Sequence, residues 1–251
     1  MRRDRFFLPN QDDVIRDPGL INKIARVLRV REGDEVSFFD GQGKEFTATV
    51  EAIAKKEIRL SDVARSAEQA SLAVRLTLAF SLIKGQKVDI ALQKCTELGI
   101  DAFVPFLSDY SNMGEPGDAK TEHFKGVIEE ATAQSRRLWM PSFSECVSFD
   151  EMFTSLANFD LVVLADPYDG VTQEVYAEKV RAVRGLSTSS GTASSICFLV
   201  GPEGGFSDRE VSLFSALPNA VRLSFSSFML RAETAAIFIT GLTALILDKQ
   251  A

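Results

Sequence analysis

The spacing of apolar residues divides the chain into two parts that follow different patterns. From residue 73 onward, short apolar runs alternate with segments in which apolar residues recur every three or four positions. The short runs predict strands at 74–80, 100–106, 159–165, 196–200 and 220–223. The other segments predict helices at about 84–98, 119–138, 171–184 and 235–247. Strands that alternate with helices predict an α/β domain with a mainly parallel sheet over 73–251.

Residues 1–70 predict a small β domain instead. A strand at 35–39 is followed by Asp-Gly-Gln-Gly at 40–43, which is a strong turn signal. Alternation then continues to residue 52, and a further strand is predicted at 58–63. We expect a helix at 20–28, a linker at 64–71 and a flexible Ser/Thr/Gly-rich segment at 186–195.

The turn after the strand at 196–200 is the most informative stretch of the chain. It reads Gly-Pro-Glu-Gly-Gly at 201–205, and adjacent glycines permit positive φ and let a ligand approach bare backbone. Ser207 is a suitable N-cap, and Glu210 follows three residues later, as a capping box requires. Strand, glycine loop and helix N-terminus predict free N–H groups that face a ligand. An ordinary turn between a strand and a helix is the alternative.

Two motifs about 25 residues apart resemble one known family. They are Leu-Val-Gly-Pro-Glu-Gly-Gly-Phe-Ser at 199–207 and Leu-Arg-Ala-Glu-Thr-Ala-Ala at 230–236. Together they resemble the RsmE family of 16S ribosomal RNA uridine N3-methyltransferases, which lies within the SPOUT trefoil-knot superfamily. Further similarities stand in the family's order at 1–9, 25–34, 39–43, 84–87, 93–100 and 133–137.

The resemblance implies a fold, a cofactor and an assembly. The fold is an N-terminal PUA-like RNA-binding β-barrel at 1–70 followed by a SPOUT α/β trefoil-knot domain at 73–251, with the cofactor knot around 196–235. The cofactor is S-adenosyl-L-methionine, and the assembly is a homodimer. The implied cofactor-binding residues are Leu199, Gly201, Gly205, Leu223, Phe225, Ser226, Phe228 and Leu230. At Ser226 and Phe228 the family usually has glycine and arginine.

Methylation at uracil N3 requires loss of the imide proton and stabilisation of the charge that develops on the ring oxygens. Arg231 is the best-placed cation, at the exit of the second loop. Glu233 is expected to orient Arg231 or to begin the helix. These two residues are the predicted catalytic pair.

The expected RNA-binding residues combine the resemblance with the distribution of charge. The chain has a net charge of −7, but residues 1–31 hold eight Arg and Lys against four Asp, a net of +4. A local basic face on an acidic body favours a partner met at one defined place, here 16S rRNA in the small ribosomal subunit. The residues assigned to RNA are Arg2, Arg3, Arg5, Arg26, Arg29, Arg136 and Arg137. A solvated charge run and a plain helix end are the alternatives.

Other chemistries find little support in the residues. The glycine loop matches neither Gly-x-Gly-x-x-Gly nor a P-loop, and no Gly-x-Ser-x-Gly elbow occurs. His123 is the only histidine, and the three cysteines stand far apart, so no metal site is expected. Without a signal peptide or a membrane-spanning segment in the sequence, we expect a cytoplasmic protein.

Two alternative functions remain open at this point. The chain could be an RNA- or ribosome-binding SPOUT-fold protein with impaired catalysis, which the residues at 226 and 228 motivate. It could also be a SPOUT methyltransferase that acts on tRNA. S-adenosylmethionine binding separates the main hypothesis from the first alternative, and the methylated RNA separates it from the second.

Overall fold

The computed structural model describes residues 5–10, 12–70, 72–83, 86–166, 170–190, 193–224 and 229–248. The chain forms two compact units. The first comprises 1–71 together with 132–140, and the second comprises 72–131 and 141–251. The segment 132–140 includes the end of the helix predicted at 119–138. It is grouped with the N-terminal residues and not with the rest of that helix.

The first unit is built on a five-stranded sheet. Its elements in chain order are β1 (Arg5–Phe7), β2 (Val14–Ile15), α1 (Pro18–Asn22), a π-helical turn (Lys23–Val27), β3 (Glu35–Phe39), β4 (Lys44–Ile53) and β5 (Ile58–Glu68). The strand order is β1-β3-β4-β5-β2, with β1 parallel to β3 and the other pairs antiparallel. The strand predicted at 35–39 is confirmed.

The β3–β4 hairpin forms as its turn residues predict. The carboxylate of Asp40 accepts hydrogen bonds from the main-chain N–H groups of Gln42 (2.7 Å) and Lys44 (3.0 Å). Gly41 and Gly43 have φ values of +74° and +99°, which residues with a side chain rarely adopt. The residues between β3 and β4 therefore fix the register of the pair.

The segment 132–140 is bound to this unit by main-chain and side-chain hydrogen bonds. The N–H of Gly43 donates to the carbonyl of Leu138 (3.1 Å), and the indole of Trp139 donates to the carbonyl of Gln69 (3.0 Å). A Cβ at Gly43 would lie 2.8 Å from the Trp139 ring. The glycine thus allows the tryptophan to pack against the hairpin.

The second unit alternates strands and helices. Its elements are β6 (Val74–Ser81), α2 (Lys87–Glu97), β7 (Ala102–Leu107), α3 (Asp118–Ser135, whose last residues belong to the first unit), β8 (Ser142–Phe143), β9 (Val147–Ser148), α4 (Phe149–Ser155), β10 (Leu161–Ala165), α5 (Gln173–Ser190), β11 (Ser194–Val200), α6 (Asp208–Ser215), β12 (Ala220–Leu223) and α7 (Ala232–Asp248). The sheet order is β12-β10-β11-β6-β7-β8, with β9 also on β7. All of these pairs are parallel.

Helices cover both faces of this sheet, which explains why its strands are apolar throughout. Leu199 and Leu164 share one core cluster with Phe149 of α4 and Phe214 of α6. Because side chains alternate along a strand, the neighbouring residues of β10 and β11 point to the other face, where α5 and α7 pack. The parallel α/β domain predicted from the sequence is confirmed.

Two predictions about irregular segments are wrong. The predicted linker at 64–71 is largely strand, because β5 continues to Glu68 and pairs there with Lys44 of β4. The prediction that helix ends at 184, before the Ser/Thr/Gly-rich segment at 186–195, is also wrong, because α5 continues to Ser190 and β11 begins at Ser194. Among the described residues, no helix is both long and apolar enough to cross a membrane.

Candidate functional site

The glycine loop follows β11 at the carboxyl edge of the parallel sheet. Its neighbours β6 and β10, and β12 beyond β10, end at the same edge, because all of these strands are parallel. Open α/β sheets bind ligands at this edge. The fold therefore places the loop at 201–206, and Ser224 directly after β12, on the edge where a ligand is expected.

The glycines of the first loop serve two different purposes. Gly205 has a φ of +75°, and nothing lies within 4 Å of the position its Cβ would take. A Cβ at Gly201 would instead lie 2.9 Å from the ring of Phe206, so the ring folds back over this glycine. Gly205 leaves open space beside the loop, whereas Gly201 allows the loop to close on itself.

The helix after the loop begins with the predicted capping box, which is confirmed. The N–H of Ser207 donates to Glu210 (2.8 Å), and the N–H of Glu210 donates to the hydroxyl of Ser207 (3.2 Å). Glu210 is only 1% exposed, and its second oxygen accepts from the N–H of Asp109 at 2.9 Å. The capping carboxylate therefore also binds the loop after β7.

Asp109 is a residue of this edge that the sequence motifs did not identify. The hydroxyl of Ser207 donates to its carboxylate at 2.5 Å, and Arg209 approaches it while donating to Asp150 at 2.9 Å. The hydrogen bond from Ser207, followed by that from Arg209, holds the pKa of Asp109 below its usual value. Its position directly after a parallel strand is the sequence signal that could have found it.

A second ion pair joins the glycine loop to the start of α2. The ammonium of Lys87 contacts the carboxylate of Glu203, and both side chains are partly exposed. The pair holds the outer side of the loop next to the end of β6. Because such exposed pairs contribute little stability, its main consequence is positional.

The other residues assigned to the cofactor differ in their burial. Phe225, Ser226 and Phe228, all assigned to the cofactor, lie outside the described residues. Leu199 and Leu223 are buried at 1% and 0% exposure, so only their main chains can face a ligand at the edge. Leu230 is partly buried.

Arg231 is exposed at the start of α7, where its carbonyl accepts from the N–H of Ala235 at 2.8 Å. Within the described part of the chain, its guanidinium has no hydrogen-bond or ion-pair partner. Glu233 is partly buried in the first turn of the helix, where a carboxylate is favourable. The guanidinium of Arg231 is therefore exposed and available to a ligand.

The loop after β10 passes very close to the end of β12. A Cβ at Gly170 would lie 2.5 Å from the main-chain nitrogen of Ser224. Arg222 donates to the carboxylate of Asp166 at 2.6 Å, and the N–H of Asp166 donates to the carbonyl of Leu223 at 3.1 Å. Sequence reasoning missed this crossing, because no local pattern indicates which loop passes the end of a distant strand.

The arginines assigned to RNA differ in their surroundings within the first unit. Arg26 and Arg29 are exposed on either side of the exposed Val27 and Leu28. Arg29 has a φ of +56°, which turns the chain after the π-helical turn. Both guanidinium groups are accessible to a partner.

Four further arginines are assigned to RNA, and the structure describes two of them. Arg136 is exposed with a φ of +60°, and Arg137 is partly buried. Arg2 and Arg3 lie outside the described residues.

The assignment of Arg5 to RNA needs correction. Its side chain is 9% exposed and donates to Glu45 at 2.6 Å. It also donates to the carbonyls of Thr132, Ala133 and Arg137 at 3.2, 3.2 and 2.7 Å. A cation that caps the last carbonyls of a helix is favourable, and here it occupies the donors that a phosphate would need. Arg5 is structural.

Metal ligands are not grouped anywhere in the part of the chain that the structure describes. Cys95 and Cys197 are buried, and burial raises the pKa of each thiol to about 12. His123 is half-exposed beside Asp89 at 2.9 Å. These groups do not suggest a second reactive site.

Family models match both parts of the chain. A model described as an RNA methyltransferase domain matches residues 70–244, and one described as an RNA methyltransferase PUA domain matches residues 24–63. The first match covers most of the second unit, including the glycine loop and Arg231. The second covers the middle of the first unit.

Individual relatives agree with these matches. Proteins named ribosomal RNA small subunit methyltransferase E are 27% identical over 221 residues in Bacillus subtilis, covering 87% of this chain and 84% of the relative, and 29% identical over 219 residues in Rickettsia conorii, covering 86% and 83%. A solved structure of a putative methyltransferase from Legionella pneumophila in complex with the cofactor SAM is 24% identical. It covers 98% of both chains with a TM-score of 0.80, which establishes the similarity of fold.

Proposed function

The chain belongs to the RNA methyltransferase family whose domain model matches residues 70–244, and on this premise we propose that it is a 16S rRNA uridine N3-methyltransferase that uses S-adenosylmethionine. The single observation that carries the proposal is the glycine loop at 201–205, which leads from the carboxyl end of β11 into a capped helix N-terminus. The substrate part rests on the relatives named for the small ribosomal subunit.

The loop residues fit a ligand that is held by backbone. Gly205 leaves its side-chain direction empty over 4 Å, and any residue with a side chain would fill that space. The main chains of Leu199 and Leu223 stand near the carboxyl ends of β11 and β12, on either side of β10, while their side chains are buried in the core. We assign the cofactor to this edge, with Leu230 and the residues at 225, 226 and 228 on its second side.

The cofactor supplies an electrophilic methyl group when bound. The protein must hold the uracil in line with that group and stabilise the anion formed when the imide proton leaves. The guanidinium of Arg231 remains charged at neutral pH and offers a planar fork of donors to a ring oxygen. We assign it this role, with Glu233 as a residue that orients it.

RNA contacts in the first unit are assigned to Arg26 and Arg29, and further contacts to Arg136 and Arg137. The first pair is supported by its exposure on either side of two exposed apolar side chains. Phosphate contacts of this kind position the RNA without reading its sequence. The base is then selected at the sheet edge of the second unit.

We also propose that the protein is a homodimer with a trefoil knot around 196–235. Exposed Phe238 and Leu245 on α7 support an apolar interface, since they are 43% and 51% exposed. Light scattering should give twice the chain mass of 27.6 kDa, and a monomer mass at micromolar concentration would contradict the dimer.

The test of the proposed activity combines binding and transfer. Calorimetry with S-adenosylmethionine in the presence of a chelator should give stoichiometric, metal-independent binding. Labelled methyl groups should then be transferred to small ribosomal subunits and not to tRNA. Binding without transfer to either RNA would favour a catalytically impaired protein, and transfer to tRNA alone would replace the substrate proposed here.

A further inference from the structure

Tyr110 presents an aromatic side chain at the carboxyl edge of the sheet. It is 52% exposed and stands in the turn that directly follows β7. Large apolar surfaces are usually covered unless they serve binding, although single exposed residues are common. The exposure of Tyr110 is evidence for a binding role because the turn that carries this residue is rigid and lies at the carboxyl edge of the sheet.

The turn at 108–111 is stabilised by hydrogen bonds between its own first and last residues. The N–H of Ser111 donates to the carbonyl of Ser108 at 2.9 Å, and the N–H of Ser108 donates to the hydroxyl of Ser111 at 2.8 Å. That hydroxyl also lies 2.8 Å from the hydroxyl of Ser81, at the end of β6. Tyr110 is therefore carried by a turn with a fixed backbone.

The same turn is also fixed to the helix after the glycine loop. The carboxylate of Asp109 accepts a hydrogen bond from the hydroxyl of Ser207, and the N–H of Asp109 donates one to the carboxylate of Glu210. These two contacts involve both members of the capping box. The backbone of Tyr110 is consequently held in a defined position relative to the glycine loop.

Tyr110 also packs directly beside that loop. A Cβ at Gly204 would lie 3.4 Å from the Cβ of Tyr110 and 3.9 Å from its Cγ. The side chain thus stands against the exposed Gly204, one residue before the open space at Gly205. The tyrosine borders the place assigned to the cofactor while half of its surface stays accessible.

We propose that Tyr110 is a substrate-binding residue on whose ring a base of the single-stranded RNA stacks beside the glycine loop. The inference rests on the proposed function, because a methylated base must leave its own stack and lose its neighbours. A held aromatic ring replaces that lost stacking at little entropic cost, since its backbone is already ordered. Any base can use such a ring, so Tyr110 contributes affinity rather than sequence selection.

The variants Tyr110→Ala and Tyr110→Phe, with Met113→Ala as the control on the same loop, separate stacking from other roles. Met113 is 36% exposed, so its truncation removes apolar surface without removing a ring. Because loss of one base–aromatic stack costs roughly 5- to 150-fold, Tyr110→Ala should lower kcat/KM for small subunits by that factor. Tyr110→Phe and Met113→Ala should stay within about threefold of the parent, since both keep the stacked ring.

Three further readouts make the outcome decisive. The dissociation constant for S-adenosylmethionine and the thermal midpoint should be unchanged in Tyr110→Ala, which excludes a merely structural role. Fluorescence anisotropy with oligouridine should show the same loss of affinity without any methyl transfer. If the parent protein transfers no methyl group but binds oligouridine through Tyr110, the proposed function fails and the stacking role stands.

Other results would overturn the inference. They are a Tyr110→Ala variant equal to the parent in transfer and in oligouridine binding, a Tyr110→Phe variant as impaired as Tyr110→Ala, or a loss of cofactor affinity in proportion to rate. Absence of oligouridine binding and of transfer by the parent protein would remove both this role and the proposed function.

Discussion

Replacement of Arg5 by alanine should destabilise the first unit rather than weaken RNA binding directly. The guanidinium is 9% exposed and donates to Glu45 and to three main-chain carbonyls, and it lies 4.2 Å above the ring of Phe39. Burial lowers the pKa of Arg5, while the hydrogen bond to Glu45 counteracts that effect. The residue stays charged at neutral pH, so its removal leaves the carboxylate unpaired.

The size of the stability loss follows from the unpaired Glu45 carboxylate that the substitution leaves behind. Removing one partner of a buried ion pair costs about 3–5 kcal/mol, and the lower end applies because Glu45 keeps 24% exposure. For a unit of this size the urea m value is about 1–1.5 kcal/mol/M, at the lower end of the usual range. The unfolding midpoint of the first unit should therefore fall by roughly 2–3 M urea.

Trp139 provides the assay for Arg5→Ala. It is the only tryptophan of the chain and belongs to the first unit, so its fluorescence reports the unfolding of that unit alone. Arg5→Lys should lose less stability, since it keeps the charge but not the fork of donors. Exposed Arg26→Ala is the matched control and should leave the midpoint unchanged. An Arg5→Ala variant with the parent midpoint and a reduced salt dependence of RNA binding would restore the original assignment.

The other predictions concern the two loops and the basic surface. Arg231→Ala should lower single-turnover methylation by roughly 10²–10³-fold while the cofactor dissociation constant changes less than about threefold, and a proportional loss of cofactor affinity would make it a pocket-shaping residue instead. Gly205→Val should abolish S-adenosylmethionine binding in calorimetry, whereas Gly99→Val, at an equally open positive-φ site of the same unit, should keep it. Charge reversal at Arg26 and Arg29 should weaken RNA binding and flatten its salt dependence with cofactor affinity intact, and an unchanged salt slope would exclude this surface.

Most of the second unit could be predicted from the sequence, because its signals are local. The strand at 220–223 has the observed bounds, and the capping box at Ser207 and Glu210 is formed as its spacing indicates. The family recognised from the two loop motifs is confirmed by the matched models and relatives, and the fold class is confirmed by the similar solved structure. When the interacting residues of a motif are only a few positions apart, their spacing is enough to predict the local structure.

Contacts between distant segments could not be predicted in this way. Arg5 looked like part of a basic face because charge runs do not reveal that residues 132–137 supply its partners. Asp109 and Tyr110 carry no motif, and they reach the glycine loop only because β7 ends beside β6 in the sheet. The short strands β8 and β9 have two residues each, which is too few for any hydrophobic period to be visible.

The proposed uridine N3-methyltransferase activity is best tested by locating the transferred methyl group. The protein is incubated with labelled S-adenosylmethionine and small ribosomal subunits that lack the modification, and the RNA is digested and analysed by mass spectrometry. We predict one labelled nucleotide in 16S rRNA, a uridine methylated at N3. A label on another atom, on another base, on tRNA or on no RNA would contradict it.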